Sequence, residues 1–272
     1  MKKVLFASTA LVMSAGFAAA EVTVSGDARM GLVYDDTAVN KITNSSRVRI
    51  AFTASGETDG GLTWGATVRN SQGSAAGDVS LGGAFGTIKM GSPTGADSVA
   101  NVLADVGYTG IGIDNQVEGN SASSNGGHNV SYSTSVAGFS FGISGDINNS
   151  DVAVGIGYSM DGMSIGLGYD AQGNDSTMTL GVSYTMDAVT VAAMYSQDEV
   201  AGLTTNAYGI SMAYDTGSGT VTVAMSDSGA AVDSQAYGIG YSMGLGGGAT
   251  LAVGAGKVGA ATRAQAGISF SF

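Results

Sequence analysis

Sixteen runs along this chain alternate apolar and polar residues with a period of two. In the first, Glu21 to Tyr34, one side reads Val22, Val24, Gly26, Ala28, Met30, Leu32 and Tyr34. The other side reads Thr23, Ser25, Asp27, Arg29, Gly31 and Val33. A two-residue period is that of a strand with opposite side-chain characters on its two faces. An outward apolar face repeated this often needs lipid, and an inward polar face needs water. A closed membrane barrel supplies both and pairs every backbone group around the ring.

Composition agrees. The mean hydropathy is slightly positive at +0.21, yet no stretch beyond the first twenty residues approaches the length of a membrane helix. Alternation accounts for this, since a barrel strand hides its apolarity from a window average. The single proline suits a strand-rich chain, because proline cannot donate to a ladder. Glycine is abundant, at 45 residues, and inward positions such as Gly155, Gly157, Gly166, Gly168, Gly238 and Gly240 suggest a lumen kept clear of side chains. With no cysteine, a disulfide scaffold and thiol chemistry are excluded.

Residues 1–20 read as a secretory leader, which leaves 21–272 as the barrel. Lys2 and Lys3 form its positive start, Val4 to Phe17 its apolar stretch, and Ala18 and Ala20 the small residues before a cleavage. Without Lys2 and Lys3 the formal charge goes from −12 to −14, with 22 acids against 8 bases. Such a balance argues against nucleic acid as a partner.

The second run spans about Ser46 to Ser55, and the third Leu62 to Asn70. A short pair follows around Val79–Leu81 and Ile88–Met90, then a sixth run over His128–Thr134. From Phe139 to Phe272 ten further runs alternate almost strictly, and the even total fits a single-chain barrel. Connections on one side are short, as at Asp161–Gly162 and Gly217–Gly219. Those on the other are expected to be longer, as at Asp36–Ser45, Gln197–Asn206 and Asp227–Ser234. Tyrosines fall on the apolar face in two bands. Tyr34, Tyr169, Tyr195, Tyr208 and Tyr237 mark one rim, and Tyr158, Tyr184, Tyr214 and Tyr241 the other. An amphipathic ring with its hydroxyl at headgroup depth prefers those levels, so they read as an aromatic girdle against outer-membrane lipid.

One connection stands apart. Residues 92–127 show no strand alternation and hold Pro93, a helical-turn stretch Val99–Val106, and the acids Asp97, Asp105, Asp114 and Glu118, with no basic residue before His128. Connections of this length in a compact fold are usually functional or disordered. Five of the eight mature bases, Arg29, Arg47, Arg49, Arg69 and Lys89, fall on inward positions of the first five runs. An acidic loop folded into the lumen against them would offset their repulsion, narrow the pore and set a transverse field. The alternative is that these bases pair with inward Asp27 or Asp78 and serve only stability.

VSGDARMGLVYD (Val24–Asp35), SSRVRIAFTASGETDGGLTWGA (Ser45–Ala66), LGGAFGTIKMG (Leu81–Gly91), DVGYTG (Asp105–Gly110) and the terminal ISFSF (Ile268–Phe272) resemble the trimeric general porins of the alphaproteobacterial type. The specific part is the N-terminal third. The resemblance implies an all-β, sixteen-stranded antiparallel transmembrane barrel, a homotrimer, and a long third loop folded inward as the pore eyelet. It places eyelet roles on the basic wall and loop acids named above, and implies that Phe272 is read by the barrel assembly machinery. This chain departs from the family in its trimmed loops and its glycine-rich loop tip, Gly119–Gly127.

The reading is therefore an exported protein of the Gram-negative outer membrane that passes small hydrophilic solutes and ions passively, with a weak cation preference. It needs no cofactor, and no acid spacing in it suits a metal. A substrate-specific channel is the alternative, although Tyr108 is the only tyrosine off the outward face. A non-conducting structural or adhesion barrel is a further one. Enzymatic activity is disfavoured. The single histidine, His128, begins the sixth run, and Ser131 three residues on would face the opposite side of a strand.

Overall fold

The structure is a computed structural model that describes residues 21–71, 74–118, 128–149 and 151–272. The proposed leader and the Gly119–Gly127 tip lie outside the described residues. The alternating runs pair edge to edge with their sequence neighbours. In order they are β1 (Glu21–Asp35), β2 (Ile42–Glu57), β3 (Thr63–Ser71), β4 (Ser74–Gly83), β5 (Gly86–Gly91), β6 (Val130–Val136), β7 (Phe139–Asp146) and β8 (Asp151–Met160). Then come β9 (Met163–Gln172), β10 (Asp175–Met186), β11 (Val189–Val200), β12 (Leu203–Asp215), β13 (Thr220–Asp227), β14 (Gln235–Gly246), β15 (Ala249–Val258) and β16 (Ala261–Ser271). All sixteen are antiparallel, and β1 pairs with β16 to close the barrel.

Register keeps the faces apart around the ring. Val24 stands opposite Phe52 and Ala28 opposite Val48 on β2, while Ala28 meets Phe270 and Leu32 meets Ala266 on β16. Large apolar side chains consequently run round the outside in the open, among them Val24, Met30, Leu167, Leu180 and Ile239. A surface this apolar would drive aggregation in water and is the expected surface in lipid. Tyr195 pairs with Tyr208 toward one end, and Tyr158 lies against Phe139 toward the other.

At the seam, Gly26 and Phe272 exchange backbone hydrogen bonds of 2.7 and 3.0 Å. A Cβ on Gly26 would run into the Phe272 ring.

Several boundaries differ from the sequence reading. Asp36–Ser45 loses Ile42–Ser45 to β2, where they pair with Tyr34–Gly31. Gln197–Asn206 is not a long loop. Gln197 pairs with Asn206 and Val200 with Leu203, so the ladder runs on to a two-residue turn. Ala201 and Gly202 both take positive φ, 52° and 79°, the geometry that matches strand twist in a tight hairpin. Connections 173–174 and 259–260 are equally short, so the length contrast rests chiefly on 36–41, 92–129 and 228–234. His128 also lies outside the sixth strand, which begins at Val130. The apolar interior is not a central core. It lies where the segment between β5 and β6 meets the inner wall: Val106, Ile111 and Ile113 against Ala224, Ala236 and Val258, and Val117 against Met194 and Ala207.

Candidate functional site: an acidic loop on the inner wall, facing a basic sector

After Gly91 the chain enters the barrel and makes a 3₁₀ turn, Ala96–Ala100, against β7 to β10. It crosses β12, where the Ala104 N–H donates to Ser211 Oγ (2.9 Å), and reaches β14 and β15 at Gly107. Its tip, Tyr108, lies on β16, β1 and β2. The chain then doubles back past Ile111 and Ile113 to a four-residue helix, α1 (Asn115–Glu118), on β11 to β13.

The inward glycines have a different use from the one composition suggested. Rather than leaving space for water, they leave space for this loop. A Cβ on Gly157 would come 2.7 Å from Val99 Cγ2, one on Gly254 2.5 Å from the Gly107 Cα, and one on Gly238 2.9 Å from Ile113 Cδ1. At Gly155, Gly166, Gly168 and Gly181 the obstacle is the loop's own carbonyl oxygen, from Ala96, Val99, Asp97 and Ala100. Only residues without side chains let two backbones approach so closely.

Polar side chains interspersed among those glycines hold the loop backbone. Ser144 Oγ accepts from Ala96 N–H (2.7 Å), and Ser226 Oγ donates to the Ile113 carbonyl. Gln265 Oε1 accepts from Thr109 N–H (2.9 Å) while its Nε2 donates to the Gly110 carbonyl (2.8 Å). Arg263 donates through one Nη to the Ile111 carbonyl (3.0 Å) and through Nε to Asp35 (3.1 Å). A strand-free loop inside a barrel needs partners of this kind for its peptide groups. Sequence reasoning missed these four residues and Ser211. The available signal was their polarity at inward positions otherwise filled by glycine and alanine.

Both ends of the loop meet at β7 and β9. Ser144 Oγ accepts the Ala96 N–H and also hydrogen-bonds with His128 Nδ1 at 2.8 Å. His128 Nε2 lies 3.7 Å from Asp170 Oδ2. His128 is thus a buried fixture of the loop base.

The loop acids separate into two groups. Asp97 departs from its expected place on the pore lining: it is 1% exposed, wedged over Gly168 on β9. Asp105, Asp114 and Glu118 come together instead. Asp105 is exposed, and Glu118 accepts from the Leu103 N–H (3.3 Å). Burial, reinforced by Asp105, pushes the Asp114 carboxyl up to about 6. Burial and then Asp114 push Glu118 up to about 7. Like charges in a partly dehydrated site favour the protonated form.

The basic residues gather on the other side. Arg29 stands directly opposite Arg47 in the ladder, and Asp27 opposite Arg49. Asp27 bonds Arg47 at 3.0 Å and lies 3.9 Å from Arg49, while Lys89 is 3.8 Å from Asp78. Pairing with Asp27 and Asp78 therefore occurs, but it covers only part of the charge. Among the described residues Arg29 and Arg69 have no ion pair. In a ring of sixteen, β1 and β3, which carry Arg29 and Arg69, lie five and seven strands from β12 beneath α1. The basic residues and the loop acids thus occupy different sectors of the interior, an arrangement able to orient and filter charged solutes in water.

A model of the Gram-negative porin family matches residues 7–261. A porin of Rhodobacter capsulatus is 44% identical over 97 residues, which are 34% of this chain and 31% of that protein, so the match spans about a third of that relative. A refined porin structure superposes with a TM-score of 0.70 at 27% identity, over 93% of this chain and 100% of the other. A variant of the Rhodopseudomonas blastica porin superposes at 0.76 with 22% identity, over 92% and 100%, and that likeness is one of fold. With a matching family model over nearly its whole length and a closed sixteen-stranded barrel, the chain belongs to the Gram-negative porin family.

Proposed function

We propose that this protein is a passive, water-filled diffusion channel of the outer membrane for small hydrophilic solutes and ions. The observation that carries the reading is the loop held on the inner wall of β7 to β16, with its acids across the interior from the basic sector. Solutes pass between Asp105, Asp114 and Glu118 on one side and Arg29, Arg47, Arg49, Arg69 and Lys89 on the other. Selection is by cross-section and by the field between these groups. No bond is made or broken, so no catalytic residue or cofactor enters.

The outward tyrosines anchor the barrel at two headgroup levels. They are concentrated on β8 to β14, whereas β1 and β16 present Gly26, Ala28, Ala264 and Ala266 outward. We assign that small-residue sector to contact between subunits of a homotrimer. Residues 1–20 direct export, and Phe272 is the feature offered to the barrel assembly machinery.

Planar-bilayer recording on the purified chain tests the function directly. Stepwise ohmic conductance, closing in thirds, with non-saturating flux and reversal potentials favouring cations, is expected. No conductance would leave a structural barrel. Saturation at low solute would indicate a substrate-specific channel.

A further inference from the structure

Gly267 on β16, Gly31 on β1 and Ser45 on β2 are consecutive partners across three strands, since Gly31 pairs with both of the others. All three face inward, and Tyr108 lies on this row. A Cβ on Gly267 would meet the ring at 2.6 Å, and one on Gly31 would meet it at 2.9 Å. The Tyr108 hydroxyl donates to the Ser45 carbonyl at 3.0 Å. Two missing side chains thus make the bed for one ring, and a backbone oxygen receives its end.

The flanks are shaped for the same purpose. Gly107 and Gly110 take φ of +94° and +72°, the left-handed region that lets the chain reverse on either side of Tyr108 and Thr109. On the pore side, the guanidinium carbon of Arg29 lies 5.9 Å from the ring centroid, within cation–π range. Arg29 is the ladder partner of Arg47, so this aromatic face receives one of two opposed like charges. A single side chain therefore joins the acidic loop to the basic sector.

We propose that Tyr108 is the positioning residue of the channel. It fixes the loop tip to β16, β1 and β2, which leaves one aperture of set width. It also holds Arg29 at the edge of that aperture, which sets part of the charge filter. Without it the outer arc of the loop, 104–113, is tied only to β12 to β16.

The proposal rests on the pore reading for its electrical consequences, so the test has two readouts on the full-length chain. In bilayers, Tyr108→Ala is expected to raise open-channel noise about twofold or more, change the conductance and lower the cation-to-anion permeability ratio, while the heat stability of the barrel stays unchanged. Tyr108→Phe keeps the ring bed and should restore the permeability ratio, with a smaller rise in noise. Arg29→Gln should alter the ratio without adding noise. Independently of conduction, amide exchange over 104–113 should accelerate about tenfold or more in Tyr108→Ala. A wild-type chain that fails to conduct would remove the pore reading and leave the exchange measurement to decide the latch. Exchange and conductance matching wild type in Tyr108→Ala would overturn the proposal. Should that variant not fold, exchange at the wild-type rate in Tyr108→Leu, which loses both the ring and its hydroxyl, would do so.

Discussion

The carbonyl oxygen of Ala100 occupies the space that a Cβ on Gly181 would need. One methyl group on β10 would therefore push the loop off its seat. Gly244, which shares the inward parity on β14, has nothing within 4 Å of the same point. Gly181→Ala is expected to change single-channel conductance and to cost about 1–3 kcal/mol through overpacking, whereas Gly244→Ala should leave conductance alone. Equal behaviour of the two variants in one bilayer preparation would mean that the loop does not rest on this wall.

With the loop carboxyls raised, the proposed charge preference is expected to depend on pH. Between about pH 8 and about pH 5, Glu118 and then Asp114 take up protons, so the loop loses negative charge and cation preference should fall. Reversal potentials in a salt gradient, followed across this range, would report the change near pH 6–7. Glu118→Gln should remove the upper part of it. For stability the sign is opposite to that of an ordinary ion-paired acid. Between its usual 4.5 and about 7, Glu118 binds more protons folded than unfolded. Its contribution is therefore complete below that window and is lost as pH rises through it.

Asp27 is the carboxylate nearest to both Arg47 and Arg49, and its side chain is 41% exposed. An ion pair that open contributes little to folding, on the order of 1 kcal/mol or less. Asp27→Asn is therefore expected to move reversal potentials toward anions without a matching loss of thermal stability. Arg69→Gln, which removes a guanidinium with no ion pair among the described residues, should move them toward cations.

Phe272 contributes both a ring over Gly26 and two backbone bonds to it. Deleting this one residue should reduce the yield of heat-resistant barrel, measured as the folded fraction on an unheated gel. Phe272→Ala should retain more, because the backbone bonds survive. Identical yields for all three chains would exclude a role for the terminus in closure.

Strand number, register and the inward position of Arg29, Arg47, Arg49, Arg69 and Lys89 were legible because a period of two is a local property of the chain. So was the exceptional character of 92–127. Where that loop would lie was not legible, because its seat is assembled from strands far apart in sequence. Ser211 and Gln265 read simply as inward polar residues until Ala104 and Thr109 arrive beside them. Asp97 looked equivalent to Asp105 in sequence. Only the turn at Ala96–Ala100 directs one onto β9 and leaves the other exposed. The hairpin at Ala201 escaped for a simpler reason: Gln197–Asn206 is mostly polar on both faces, and the one apolar pair, Val200 with Leu203, is too little to show an alternation.

The bed of Tyr108 is half first strand and half last. Gly31 and Gly267 become neighbours only when the seam between β1 and β16 forms, which unites residues more than two hundred positions apart. Contacts of such sequence separation are slow to form. The seat of Tyr108 therefore cannot be completed before the ring is. Docking of the loop tip is a chronometer for closure, and a ring-current shift or fluorescence change at Tyr108 would time the last event in the birth of the barrel.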